Sequence, residues 1–297
     1  MNDLIVCGVD IGGSHITAAL VNLNTGIILQ HTLRRMEVNA GGTKDAILSS
    51  WCSTIKDCFD ANKMMVSKVG IAMPGPFDYE AGISLVKGQD KFDQLYGVNV
   101  KIRLASGLDI PFENITIVND ALCFLKGELS FGVAKNCSKV LGITLGTGFG
   151  SALYGGVTTD ANLWCRPFMN GIAEDYFSTR WFVKRYYELS KSPVADVKEL
   201  LSRIDACPFV INIFSEFAAN LADFLLPVVI QDQIEMVVIG GNISKAFNYF
   251  SDKLKNEMNG ILPGIQIVRS TLGESAALMG AANSFNTFKN EVPVYMH

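Results

Sequence analysis

Short apolar runs alternate along the chain with longer segments whose apolar residues recur every three or four positions. Ile5–Val9 and Ile16–Val21 read as strands on either side of a glycine turn. Gly26–Thr32 reads as the next strand, after the turn-like Asn22–Gly26. Lys44–Asn62 carries Ile47, Leu48, Trp51, Ile55 and Phe59 at helical spacing. Val69–Met73 is a short strand running into Pro74-Gly75-Pro76. Ile115–Val118 is another, followed by Asn119-Asp120 and the helical run Ala121–Phe131. Val140–Leu145 and Ser151–Tyr154 flank a second glycine turn. Helices are predicted over Tyr176–Ser190, Val197–Ile204 and Phe209–Ile230. A strand at Met236–Ile239 ends in Gly240-Gly241, Gln266–Arg269 is a late strand, and Glu274–Ser284 is an alanine-rich helix. The pattern predicts an α/β chain with mixed sheets.

One unit occurs twice. The segment Val6 to Ser14 and the segment Val140 to Gly150 each consist of an apolar strand, a turn of Gly with Ser or Thr, and a lead into a second apolar strand. Duplication predicts two similar domains facing a cleft, with a boundary near Val118–Asp120.

Composition narrows the classes. The chain has 297 residues, of which 49% are hydrophobic and 18% charged, too apolar for a disordered chain. A net charge of -4 and the absence of any block of like charge argue against nucleic acid as a partner. No run reaches 18 uninterrupted apolar residues, and the longest apolar region, around Phe217–Ile230, is broken by Asn220 and Asp223. It is therefore expected to be a core helix, and no membrane partner is expected. Leu4–Val9 reads as a buried strand and not as a signal peptide. The seven cysteines are scattered without CxxC spacing, which suits reduced thiols in a cytoplasm, and no Cys/His cluster suggests zinc. Against 9 prolines stand 27 glycines, several of them clustered.

The glycine clusters carry the candidate chemistry. In the first turn, Gly12 and Gly13 let backbone N–H groups face an anion, Ser14 adds a hydroxyl, and Asp10 stands where it can hold Mg²⁺ through water. The second turn, Gly146-Thr147-Gly148-Phe149-Gly150, has the same design. Each leads into a strand, so neither is a Rossmann fingerprint, and the Walker pattern GxxxxGK[ST] is absent. An ordinary hairpin is the plain alternative for either turn alone. Asn119-Asp120 opens a helix, and on position alone a helix N-cap competes with a general base acting on a substrate hydroxyl. Gly240-Gly241 would let a nucleobase approach the backbone, or would simply turn a strand into a helix.

Taken together these segments resemble the ROK family of sugar kinases and regulators. The resemblance is carried by Asp10-Ile-Gly-Gly-Ser, Gly70-Ile-Ala-Met-Pro-Gly-Pro-Phe-Asp, Asn119-Asp120-Ala121 with Gly127-Glu128, Leu145-Gly-Thr-Gly-Phe-Gly, Ile239-Gly-Gly, and Gly273-Glu-Ser-Ala-Ala-Leu-Met-Gly-Ala-Ala. It implies the two-lobed actin-like ATPase fold, with ribonuclease-H-like domains around a cleft and helices flanking mixed sheets. The smaller N-terminal lobe would be residues 1–118 plus about 285–297, and the larger C-terminal lobe 119–284. The implied activity is transfer of the γ-phosphate of ATP, with Mg²⁺, to a hydroxyl of a hexose or related sugar. Asp120 becomes the general base. Asn119, Glu174, Pro74 and Gly75 fall on the sugar side, with Gly70 and Gly75 flanking the PGP segment. Gly12, Gly13, Ser14, Gly146, Thr147, Gly148, Gly240 and Gly241 fall on the nucleotide. The resemblance also implies a cytoplasmic homodimer. With the phosphate motif as early as Asp10, the DNA-binding domain of ROK repressors is not expected.

The sequence departs from the family in one loop. The family's zinc loop is not intact, so no zinc is expected. A zinc-free branch reads ELGHHPF and later EDY; this chain reads Asn162-Leu-Trp-Cys-Arg-Pro-Phe168 and later Glu174-Asp175-Tyr176. Asn162 thus stands where a sugar-binding Glu is expected, Cys165 where a His is expected, and Trp164 replaces a Gly. Asn keeps one acceptor and adds donors, and a thiol hydrogen-bonds poorly beside an imidazole. Each unpaired sugar hydroxyl would cost about 1–3 kcal/mol, roughly tenfold to hundredfold in affinity. The departures favour altered sugar specificity, with a weak or inactive sugar-binding or regulatory protein of the same fold as the rival reading.

Overall fold

The computed structural model describes residues 4–62, 66–89 and 91–285. β1 (Ile5–Ile11) turns through Gly12–Ser14 into β2 (His15–Asn22), an antiparallel pair with Ile11 opposite Ile16. β3 (Ile27–Ile28) and β4 (Arg34–Glu37) both pair with β2. The strand expected over 26–32 stops after Ile28 because Thr32 captures the chain: its Oγ1 donates to the Leu29 carbonyl at 2.7 Å and accepts from the Leu20 N–H at 2.9 Å. α1 (Lys44–Asp60) is capped by Thr43 and buries Ile47, Leu48, Trp51 and Ile55, the stripe its periodicity predicts. β5 (Val69–Met73) lies parallel to β1, β6 (Phe77–Asp78) and β7 (Ile83–Ser84) form a small hairpin, and α2 (Val100–Leu108) is capped by Asn99. β8 (Ile115–Asn119) lies parallel to β5 and runs directly into α3 (Asp120–Phe131). The sheet order is β3-β2-β1-β5-β8, with β4 also on β2.

The pattern then repeats. β9 (Val140–Leu145) and β10 (Phe149–Tyr154) form an antiparallel hairpin around Gly146–Gly148, and β11 (Thr158–Asp160) adds to β10. Next come β12 (Pro167–Phe168), β13 (Gly171–Ile172), α4 (Ala173–Tyr176), α5 (Thr179–Ser190), α6 (Val197–Ser202) and α7 (Pro208–Gln231). β14 (Met236–Gly240) lies parallel to β9, and after α8 (Ser251–Asn259), β15 (Gln266–Arg269) lies parallel to β14. The order β11-β10-β9-β14-β15 has the same sequence of antiparallel and parallel neighbours as the first sheet. The duplication read from the two glycine turns therefore extends to whole sheets. α7 is the one described helix long and apolar enough to cross a membrane by length and composition. Its Ile213, Phe217, Leu221 and Leu225 are buried with Phe182 and Phe250 in the core of the second sheet.

The last described element is α9 (Ser275–Asn283). The chain divides into two compact units, one ending at Gly132 and resuming at Ser275, the other Val133–Glu274. The breaks thus fall after Gly132 and at Ser275, not near 119 and 285; residues 286–297 of the expected first lobe lie outside the described residues. The reason is α9, which lies against β1, β5 and α3. A Cβ at Gly8, Gly70, Gly127 or Gly280 would collide with the backbone carbonyls of Leu278, Ala281, Ala276 and Cys123 respectively. α3 and α9 belong to the first unit because their backbones touch. Gly70, which flanks the PGP segment on the sequence, serves this packing.

Candidate active site

In the first unit, β1, β5 and β8 are parallel, so their carboxyl ends share one edge. The register sets Asp10 opposite Ala72 and Met73 opposite Asn119. That edge therefore carries Asp10, the first glycine turn, Pro74-Gly75 and Asn119-Asp120. The first turn closes with the Gly12 N–H on the His15 carbonyl at 2.9 Å. A Cβ at Gly12 or Gly13 would find its nearest neighbour at 3.6 Å or 3.5 Å, so neither glycine is required by packing. Ser14 Oγ lies 2.9 Å from His15 Nδ1, so its hydroxyl is held by the ring. Asn119 Oδ1 accepts from the N–H groups of Ala121 (3.0 Å) and Leu122 (3.2 Å), and Asp120 Oδ1 accepts from Ala121 N–H at 2.9 Å. The cap at α3 is thus Asn119, which leaves Asp120 as the first helical residue. Burial pushes the Cys123 thiol well above its ordinary value, Lys126 opposes this, and the carboxylates of Asp120 and Asp10 push it the same way as burial.

In the second unit, β9 and β14 are parallel and Gly240 lies opposite Thr144. The second glycine turn and Gly240-Gly241 thus adjoin. Gly146 N–H donates to the Gly148 carbonyl at 3.0 Å, and Thr147 is exposed at the tip. Gly241 has φ 80°, and a Cβ there would strike the Leu145 carbonyl. A Cβ at Gly146 would have nothing closer than 4.0 Å. Gly12 and Gly13 leave the first turn open, and Gly146 leaves the second open, each a turn of the kind that takes phosphate oxygens, and Asp10 is a carboxylate of the kind a divalent ion takes, so the residues of each unit fit Mg-ATP.

Glu174 is built into the second turn. Its Oε2 accepts from Phe149 N–H at 3.1 Å, its Oε1 pairs with Arg180 at 3.0 Å, and a Cβ at Gly148 would come within 2.8 Å of it. The helix expected over 176–190 breaks at Phe177-Ser178 for a related reason. The N–H and Oγ1 of Thr179 both donate to the Gly146 carbonyl, at 2.7 and 3.0 Å, which starts α5 on the turn. Arg180 was not signalled by the sequence, since nothing in the spacing ties it to Glu174. Asn162 and Cys165 lie on an exposed turn joined to α4 by Ala173 N–H on the Arg166 carbonyl. Asn162 has φ 48°, and the Cys165 thiol donates to its carbonyl at 3.5 Å. Among the described residues, no three His, Cys, Asp and Glu side chains group as a metal site.

A sequence model of the ROK family matches residues 6–165, more than half of the chain. The chain belongs to the ROK family. A glucokinase of Thermotoga maritima is 28% identical over 95% of this chain and 98% of its own length. An N-acetylgalactosamine kinase of Shewanella is 24% identical over 93% and 94%. A ROK family glucokinase from Streptomyces griseus, solved with glucose and AMPPNP, superposes with a TM-score of 0.75 at 22% identity, covering 95% of this chain and 99% of that one. The fold is that of the ROK kinases, the actin-like ATPase fold.

Proposed function

We propose that this ROK protein is an ATP-dependent kinase that phosphorylates a hydroxyl of a hexose or related sugar. The observation that carries the reading is the single edge of the first unit holding Asp10, the open Gly12-Gly13 turn and the Asn119-Asp120 pair. The kinase activities of the relatives over nearly their whole lengths support it. Bound Mg-ATP supplies the phosphoryl group and a divalent charge. Asp120 takes the proton of the attacking hydroxyl, and Asn119 holds that hydroxyl in place. Gly12 and Gly146 close their turns and leave room for phosphate oxygens, the amides of Gly13 and Gly148 stabilise charge on those oxygens, and Gly240-Gly241 admits the base. Pro74-Gly75, Glu174, Asn162 and Cys165 shape the sugar side. The proposal includes Mg²⁺ held through Asp10, no zinc, and a homodimer acting on a sugar in the cytoplasm, away from nucleic acid and membranes. Its test is release of ADP from Mg-ATP by the purified chain; an equal rate with and without every sugar offered refutes it.

The sugar differs from glucose in this proposal, because the loop lacks two polar contacts and Arg180 already occupies one Glu174 oxygen. The double variant Asn162→Glu, Cys165→His is expected to lower KM for glucose by about tenfold or more, at one regained hydroxyl contact or two. Steady-state kinetics reads this directly, and an unchanged glucose KM would take the loop out of the sugar site.

A further inference from the structure

Resting on the sugar-kinase reading, we infer that Tyr79 is a positioning residue that fixes the amide of Asn119 and so sets how the acceptor hydroxyl is held. The Tyr79 hydroxyl donates to the Met73 carbonyl at 3.0 Å and accepts from Asn119 Nδ2 at 3.2 Å. Met73 and Asn119 are register partners at the ends of β5 and β8, so one phenol oxygen ties together the two strand ends that carry the sugar side of the edge. The ring is held by Phe77, 5.2 Å away. A Cβ on Gly75 would sit 3.3 Å from the hydroxyl, a tight contact, so glycine at that position leaves the phenol its place.

The consequence is a defined hydrogen-bond polarity. An amide oxygen has two lone pairs, and both of Asn119's meet N–H groups at the start of α3. The amide nitrogen has two protons, and one goes to Tyr79. What Asn119 has left to offer is one N–H donor. An acceptor hydroxyl must therefore receive that N–H on its oxygen, which directs its own proton to a base. Asp120 is the next residue along the chain. With Tyr79 removed, the amide keeps its cap but loses the partner that fixes its plane.

The test is Tyr79→Phe, which keeps the ring against Phe77 and removes only the oxygen. KM for the sugar substrate is expected to rise about tenfold, the size of one lost polar contact, while KM for ATP stays unchanged and kcat falls less than threefold. A fall in melting temperature with both KM values rising together, or no change in the sugar KM, overturns the inference. A second readout needs no turnover. In nitrogen-15 spectra of the full chain, one Asn119 side-chain N–H is expected to exchange slowly with solvent and to lose that protection in the Phe variant. Equal exchange in both proteins overturns the inference even if no sugar is phosphorylated, whereas absence of turnover with protection intact counts against the kinase reading alone.

Discussion

Asp120→Asn is expected to lower kcat at least 10²-fold with KM for ATP little changed. A positioned general base contributes about 10²–10⁴-fold, and this carboxylate is the group beside Asn119 that can take a proton. The substitution keeps the shape of the side chain and an oxygen able to accept from Ala121 N–H, the bond Asp120 makes in the folded chain. The helix cap belongs to Asn119, so α3 should fold as before. Initial rates at saturating sugar measure the effect. A near-normal rate would remove Asp120 from the chemistry and leave it a structural residue of the first turn.

The second large effect is on stability. Gly280→Val is expected to destabilise the first unit by about 3 kcal/mol or more, because the new side chain meets the Cys123 carbonyl of α3, a backbone atom that cannot swing away. That corresponds to a loss of roughly 10 °C in Tm. Gly155→Ala is the control: nothing lies within 4 Å of its Cβ position, and its Tm should hold. A Gly280→Val protein that melts with the parent would mean α9 does not rest on α3 as described.

These two residues differ in how far the sequence exposes them. Asp120 is legible because it follows a buried strand and opens a helix, a junction marked by local order alone. The same holds for the hairpins at Gly12 and Gly146, where glycines interrupt two apolar strands, and for the duplicated sheets those hairpins announce. Gly280 sits in an alanine-rich helix, and only the approach of another backbone explains it. Glu174 is visible as an acidic residue, but Arg180 reaches it across a helix break that the apolar spacing of 176–190 conceals. Tyr79 has no signal of its own beyond standing close behind the PGP segment; its role depends on two strand ends meeting. α8 escapes the pattern because few of its residues are apolar, Leu254 and Met258 being its buried apolar pair. α2 was legible in principle, through the Asn99 cap and the spacing of Val100, Leu104 and Leu108. Local turns and caps are written in sequence, whereas side-chain partners chosen by tertiary approach are not.

The central claim is that a phosphoryl group passes from ATP to a sugar hydroxyl with Asp120 as base. The most direct measurement incubates the full chain and its Asp120→Asn variant with Mg-ATP and a panel of hexoses and N-acetylhexosamines, and follows phosphorylated sugar by mass spectrometry. The account predicts a sugar monophosphate from at least one member of the panel with the parent chain, and at least 10²-fold less with the variant. ATP binding without any sugar phosphate, or equal product from both proteins, would contradict it.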